Sequence, residues 1–247
     1  MGILKTQTLN RKTQLDLTVV LPAINEADII EQAVLKIDQV LKTFGYTYEI
    51  IIAEDGSTDG TDKKAAKLAK KLLYIRHLHN DQRFGRGKAL DNSFRQSNGK
   101  VLIYMDVDLA TDLKHLTQLI NAIFIDGYFF ATGSRMLSNS NVKRTSTRIF
   151  ASKTFNFMVR MFLYSKVKDH QCGFKAFERN ALLPLLDEVH ATHWFWDTEI
   201  LVRAQHKGYK IKEIPVSWAG VRETKVHLFR DSVAMGWQIF ILWLHLH

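Results

Sequence analysis

Val101-Leu102-Ile103-Tyr104-Met105-Asp106-Val107-Asp108 reads as a buried strand that stops on two acids. Five apolar residues in a row, followed at once by a carboxylate, suit a strand covered on both faces better than one with a face in water. Helical spacing over Asp112–Ile125 comes next, and the same strand–helix couple repeats outward from it. Further strands are predicted at Leu17–Leu21, Glu49–Ala53, Leu73–Leu78 and Tyr128–Thr132, with helices at Glu26–Phe44, Thr61–Lys71 and Gly87–Ser97 between them. Strands alternating with helices of this length form βαβ units, so the predicted class is α/β with a mostly parallel central sheet. Ligands of such sheets bind in the crevice at the carboxyl ends of the strands, where Asp106 and Asp108 stand.

Beyond Gly133 the pattern changes. Asn139–Lys168 threads Phe150, Phe155, Phe157, Met158, Met161 and Phe162 among Lys143, Arg144, Arg148, Lys153, Arg160 and Lys166. A helix over Asp197–Lys207 and a last strand over Lys210–Trp218 follow, and Val233–Leu246 is nearly all apolar. The expected division is a basic tail (1–14), one α/β domain (15–232) and an amphipathic, membrane-seeking helix (233–247). The 247 residues suffice for a sizeable core, and 46% apolar with 24% charged composition excludes a disordered chain. One cysteine, Cys172, excludes a disulfide framework and a cysteine-built zinc site. The polar start is not a secretory leader, and no apolar stretch reaches the roughly 20 residues of a membrane span. Thirty-four Lys and Arg against 25 Asp and Glu give a net charge of +9, which calls for an anionic partner such as nucleic acid, phospholipid or a phosphorylated substrate.

Two familiar phosphate cradles are absent: Gly85-Arg86-Gly87 lacks a third glycine, and there is no Walker sequence. Asp55-Gly56-Ser57-Thr58-Asp59-Gly60 resembles the start of a calcium loop, but Ala66 stands where a bidentate Glu is required. The stretch fits a strand-end loop better, with Asp55 at the tip able to accept from the N–H groups of a base. The plain alternative is an Asp-Gly turn with Asp59 capping the next helix. Asp106 and Asp108 offer hard oxygens suited to Mg2+ or Mn2+, with substrate phosphates completing the shell.

As an ordered set, these motifs resemble the family-2 glycosyltransferases of GT-A fold. The set is Pro22–Glu26, Glu54–Thr61, Gly85–Leu90 and Asp106–Leu109, and it covers the chain from residue 17 to about 232. Gly133-Ser134-Arg135, Asp169–Lys175 and Trp196–Glu199 narrow the resemblance to the dolichyl-phosphate hexose synthases, most like archaeal members. The resemblance implies that Pro22, Glu26 and Asp55 hold the base and ribose, that Lys88 lies close to the nucleotide, and that Asp106 and Asp108 hold the metal that carries the diphosphate. It further implies that Arg135, Arg148 and Ser152 grip the acceptor phosphate, and that Thr224-Lys225, with Arg222, belongs to a loop closing over the diphosphate. Two departures bear on the sugar and base: Ile24 replaces a frequent Tyr, and Ala110 stands where some mannose enzymes offer a metal ligand.

The expected activity is inverting transfer of a hexose, UDP-glucose being the favoured donor, to dolichyl or polyprenyl phosphate at the cytoplasmic face of a membrane, for glycan assembly. A lipid phosphate has a second pKa near 6 and needs no base, so Asp197 would hold the donor sugar. A same-fold enzyme acting on a glycan hydroxyl would instead use Asp197 as its base. Asp197 and Glu199 also fit a dipole-favoured acid pair at a helix start. The remaining rivals are a catalytically silent membrane adaptor and a nucleic-acid binder, the latter disfavoured by the motif set. His170, His193 and His227 are read as structural.

Overall fold

The computed structural model describes residues 14–220 and 228–246. Its main sheet has seven strands in the order β3-β2-β1-β4-β7-β5-β8. The four that come first in the chain are β1 (Leu15–Ala23), β2 (Tyr48–Asp55), β3 (Ile75–Asn80) and β4 (Gly99–Met105). These four pair parallel with one another, β1 lying between β2 and β4. The chain therefore winds outward from β1 in two directions, and the crevice at this reversal lies between the carboxyl ends of β1 and β4.

The helices α1 (Ile30–Lys42), α2 (Thr61–Lys71) and α4 (Leu116–Phe124) cover one face of the sheet, packing Ile30, Ile37, Leu68 and Ile120 on Val19, Ile50 and Ile103. On the other face, α3 (Arg86–Gln96), α6 (Arg179–Leu186) and α7 (Trp196–His206) bring Phe94, Leu182 and Trp196 onto Ile51, Leu102 and Tyr104. Successive strand residues point to opposite faces, so strands buried on both read as unbroken apolar runs.

The second half departs from simple alternation. The strand β5 (Phe130–Ser134) lies two residues later than Tyr128–Thr132, and β7 (Phe174–Glu178) is inserted antiparallel between β4 and β5. The strand predicted over Lys210–Trp218 breaks at Val216 into β8 (Ile211–Pro215), parallel to β5, and β9 (Ser217–Ala219), which pairs with β6 (Asn141–Lys143) in a separate two-stranded sheet. The first helix starts at Ile30 rather than Glu26, because Asn25 is left-handed (φ 52°) and Glu26 and Ala27 donate their N–H groups to Thr61 and Asp59. A 3-10 turn, Leu113–His115, precedes α4, shortening the helix predicted from Asp112. The helix α5 (Ser146–Phe162) packs on α8 (Leu228–Leu246), longer than the expected Val233–Leu246, through Phe155, Val159, Leu163, Ile239 and Leu242. Among the described residues, no helix is long and apolar enough to cross a membrane. The basic tail, Arg222, Thr224, Lys225 and His227 lie outside the described residues.

Candidate active site

The chain leaves β4 in a tight turn that presents Asp106 and Asp108 at the rim of the crevice. Leu109 holds a left-handed conformation there (φ 50°), its N–H donating to the Asp106 carbonyl at 3.1 Å, and Asp108 accepts from Ala110 N at 3.0 Å. A bulky residue in this region is strained, and strain of this kind persists where the surroundings impose it. The constraint comes from the loop before β7. Asp106 N donates to Gly173 O at 3.0 Å, and a Cβ on Gly173 would lie 1.9 Å from the Asp106 carboxylate. Only glycine leaves room for the acid.

Arg86, at the first position of α3, ties this rim to α7. Its guanidinium donates to Asp106 Oδ1 at 2.7 Å and to Asp197 Oδ2 at 2.5 Å, lying between the rings of Tyr104 (5.1 Å) and Trp194 (5.2 Å). Burial alone would lower its pKa, but the two carboxylates outweigh that and raise it. Asp197 is also held by the Tyr104 hydroxyl and by Lys175 Nζ at 2.9 Å. Burial pushes Asp197 up to about 6 against the opposing charge of Arg86, and burial pushes Lys175 down to about 7, with the like charge of Arg86 adding to the shift. Lys175 Nζ further donates to the carbonyls of Cys172 (2.6 Å) and His170 (3.0 Å), which fixes the loop carrying Gly173.

Arg86, Tyr104 and Lys175 escaped the sequence reading. Arg86 and Lys175 lie inside the motifs Gly85–Leu90 and Asp169–Lys175, but spacing alone does not set Arg86 apart from Lys88. In the structure Lys88 points outward and pairs with Asp91 at 3.1 Å, while Arg86, two residues earlier, reaches Asp106. Glu199 is buried but faces elsewhere, pairing with Arg203 and accepting from His190 and Ala191 N, so only Asp197 of that acid pair meets the crevice. His170 is buried between Asn156 and Ser165 and is held neutral by burial, its pKa down to about 3, as befits a structural residue.

At the β1–β2 end, Pro22 sits at the tip of β1 opposite Ala53, followed by Glu26, whose N–H donates to Thr61 Oγ1 at 2.8 Å. Asp55 is buried and already engaged: it accepts from Phe84 N (2.9 Å), Gly85 N (2.8 Å) and Asn80 Nδ2 (3.3 Å). Its first task is thus to hold the loop that leads into Arg86; Oδ1 accepts two of these bonds and Oδ2 one, so Oδ2 keeps a lone pair for a ligand. Asp59 does not cap α2, whose N-cap is Gly60 without a side-chain cap; it stands one residue earlier and accepts from Thr61 N and from Ala27 N.

On the far side of Gly173 three arginines gather. Arg135 forms a fork with Asp169 (2.7 and 2.8 Å), and both are buried. Burial would raise Asp169, but the Arg135 charge and hydrogen bonds outweigh it and hold the carboxyl down at about 2. Arg144 lies over the Trp218 ring at 4.5 Å and donates to Ser152 Oγ at 3.1 Å, while its buried Nε has no hydrogen-bond partner among the described residues. Burial and the positive charges of Arg135 and Arg148 push Arg144 down to about 10. The structure thus brings together Arg135, Arg148 and Ser152, and adds Arg144, which in the sequence is one basic residue of several in its segment. The one carboxylate in this group is taken by Arg135, so the cluster carries uncompensated positive charge.

The acids at the rim fit a divalent cation. Asp106 is 42% exposed at its side chain and Asp108 is exposed, so both can give hard oxygens to an ion that completes its shell with phosphates and water.

Residues 18–185 match the sequence profile described as Glycosyl transferase family 2. Glycosyltransferase AglD of Haloferax volcanii is 46% identical over 233 residues, covering 94% of this chain. The chain spans only 37% of AglD's length. Dolichyl-phosphate beta-glucosyltransferases of Saccharomyces cerevisiae (33% identity, 92% of this chain and 73% of the relative) and Homo sapiens (30%, 89% and 72%) are also similar. Among solved structures, glucosyl-3-phosphoglycerate synthase from Mycobacterium tuberculosis, in complex with Mn2+, UDP and phosphoglyceric acid, shares the fold with a TM-score of 0.69, at 19% identity over 94% of this chain and 78% of that one.

Proposed function

The chain belongs to glycosyl transferase family 2, and from that membership we propose that it moves a hexose from a nucleotide sugar to the phosphate of a polyprenyl lipid. The observation that carries this reading is the arginine cluster. Arg135, Arg144 and Arg148 stand one loop away from Asp106 with a spare buried donor on Arg144, a group that calls for a phosphate.

In this reading Pro22, Glu26 and Asp55 border the base and ribose, and Asp106 and Asp108 hold Mg2+ or Mn2+. That cation supplies neutralisation of the charge developing on the departing diphosphate. The lipid phosphate is largely ionised at neutral pH, so one of its oxygens attacks C1 without a base. The new O–C1 bond forms as the bond from C1 to the diphosphate oxygen breaks, its electron pair leaving on the nucleoside diphosphate, and in-line attack inverts the anomeric centre. Arg86 stays paired with Asp106 and orients Asp197 toward the donor sugar. The burial of Asp197, held by Arg86, Lys175 and Tyr104, favours this role over proton abstraction from a glycan hydroxyl. Arg222 and Lys225 close over the diphosphate.

Names and ligands of similar proteins support glucose and UDP as the donor's parts. Residues 15–232 carry out the transfer, and the C-terminal helix together with α5 rests on the cytoplasmic face of the membrane that holds the lipid. The test is transfer of radiolabelled sugar into lipid extract from UDP-glucose, UDP-N-acetylglucosamine or GDP-mannose in separate reactions with dolichyl phosphate and Mg2+ or Mn2+. Label from UDP-glucose, abolished by Asp108→Ala and by chelator, is expected. No label from any donor while UDP-glucose still binds would reject the lipid acceptor.

A further inference from the structure

Away from the crevice, β2 and the edge strand β3 run side by side with Ile52 opposite His77 and Glu54 opposite His79. Residues two apart share a face of a strand, so His77 and His79 stack along one side of the sheet edge, their rings 5.8 Å apart. Glu54 is wholly buried. Its Oε1 accepts from Ser57 N at 2.5 Å, and its Oε2 meets Nδ1 of His79. The Nε2 of His77 is buried and has no hydrogen-bond partner among the described residues, an uncommon state for an imidazole nitrogen. One ligand atom from each of the three side chains lies within 4.8 Å of the others. A cavity of about 250 Å³ adjoins them, lined also by Asn80, Asn92 and Gln96.

We propose that Glu54, His77 and His79 form a transition-metal site of the zinc type, separate from Asp106 and Asp108, which stand two strands away across β1. Two imidazoles and one carboxylate are the donor set of Zn2+ rather than of Mg2+, and three protein ligands leave a fourth position for water. Zinc bonds of about 2.0–2.2 Å draw the three side chains together by small rotations, the metal taking the place of the hydrogen bond between Glu54 and His79. Bound there, the ion clamps the free edge of the sheet to the strand that carries Asp55, and its existence does not depend on the proposed transfer reaction.

The full chain, stripped of metal and held in excess Mg2+, would be titrated with Zn2+ by equilibrium dialysis and with Co2+ by visible absorption. One tightly held equivalent of Zn2+ and the intense bands of four-coordinate Co2+ are expected. His77→Gln and His79→Gln should each weaken binding at least about tenfold, the range that loss of even an outer-shell partner costs. Asp106→Asn should leave the zinc equivalent in place. Absence of a bound equivalent in the unmodified chain, its loss in Asp106→Asn, or its indifference to both histidine changes would each overturn the proposal. His79 is part exposed on an edge strand, so its replacement leaves the fold intact if the other variant disturbs it.

Discussion

Asp197 and His170 titrate in opposite senses within the same acid range. His170 binds its proton at about 3 in the folded chain against 6.5 when free, so the unfolded chain takes up a proton first and stability falls as pH drops below 6.5. Asp197, raised from 3.8 to about 6, makes the folded chain the first to bind a proton, so its share of stability rises as pH drops from 6 to 3.8. The two effects offset each other between those limits. In Asp197→Asn the histidine acts alone, and the pH slope of unfolding free energy between 4 and 6 should steepen by up to about 1.4 kcal/mol per pH unit relative to the parent. Denaturant unfolding at a series of pH values checks this, and an unchanged slope refutes it. Arg144 carries a separate expectation. Losing a charged hydrogen bond costs about 1.5–3 kcal/mol, so Arg144→Ala should raise KM for the lipid phosphate roughly ten- to a hundredfold while UDP-sugar affinity stays unchanged. Arg144→Lys should recover only part of the loss, because an ammonium lacks the planar fork. These residues also mark where sequence reading ends. Asp106 and Asp108 are legible because a strand end displays them. Arg86, Tyr104 and Lys175 are not, because the network joins positions 86, 104, 175 and 197, which only the folded chain places side by side.

Helices α5 and α8 show a division of labour that their composition hides. Each is apolar on more than one side. Phe155, Val159, Ile239 and Leu242 turn inward, while Phe150 (74% exposed), Phe157 (62%), Trp237 (63%) and Phe240 (46%) face out. An outward aromatic set flanked by Lys153 and Arg160 is the make-up of a surface that enters the headgroup region of a bilayer. Replacing Phe157 and Trp237 together by Ser should weaken co-sedimentation with anionic vesicles roughly thirtyfold, taking about 1 kcal/mol for each partly buried ring, without loss of folded content. Binding unaffected by both changes would assign the exposed rings another role. Within the seven-stranded sheet, β7 is the strand the periodicity misses. Phe174-Lys175-Ala176-Phe177-Glu178 is short, holds a lysine in its apolar run, and follows a loop rather than a helix. Nothing local reveals that it lies antiparallel in mid-sheet, or that its lysine is buried against Asp197.

At the scale of the molecule, the two halves differ in how far sequence determines a reading. From β1 to β3 each strand pairs with its successor, and β4 returns to the other side of β1 by the same parallel strand–helix unit, so local periodicity conveys the elements and their parallel sense. From β5 onward the order is set by distant partners: β7 fills the gap between β4 and β5, and β8 closes the edge beyond β5. The site straddles these halves, with the acids on one and the arginines on the other. This arrangement has a consequence for a chain still being made. The neighbour that seals the outer edge of β4 is not its successor but β7, which ends roughly 70 residues later, a wait of about 4–15 s at ordinary elongation rates of roughly 5–20 residues per second. During that interval Val101–Met105, an apolar strand without proline, is exposed along one side as the nascent chain emerges, the state most open to pairing with a neighbouring chain. Newly synthesised molecules thus face their greatest aggregation hazard at mid-length, and holding by chaperones or slow translation would matter most between the emergence of residue 105 and that of residue 178.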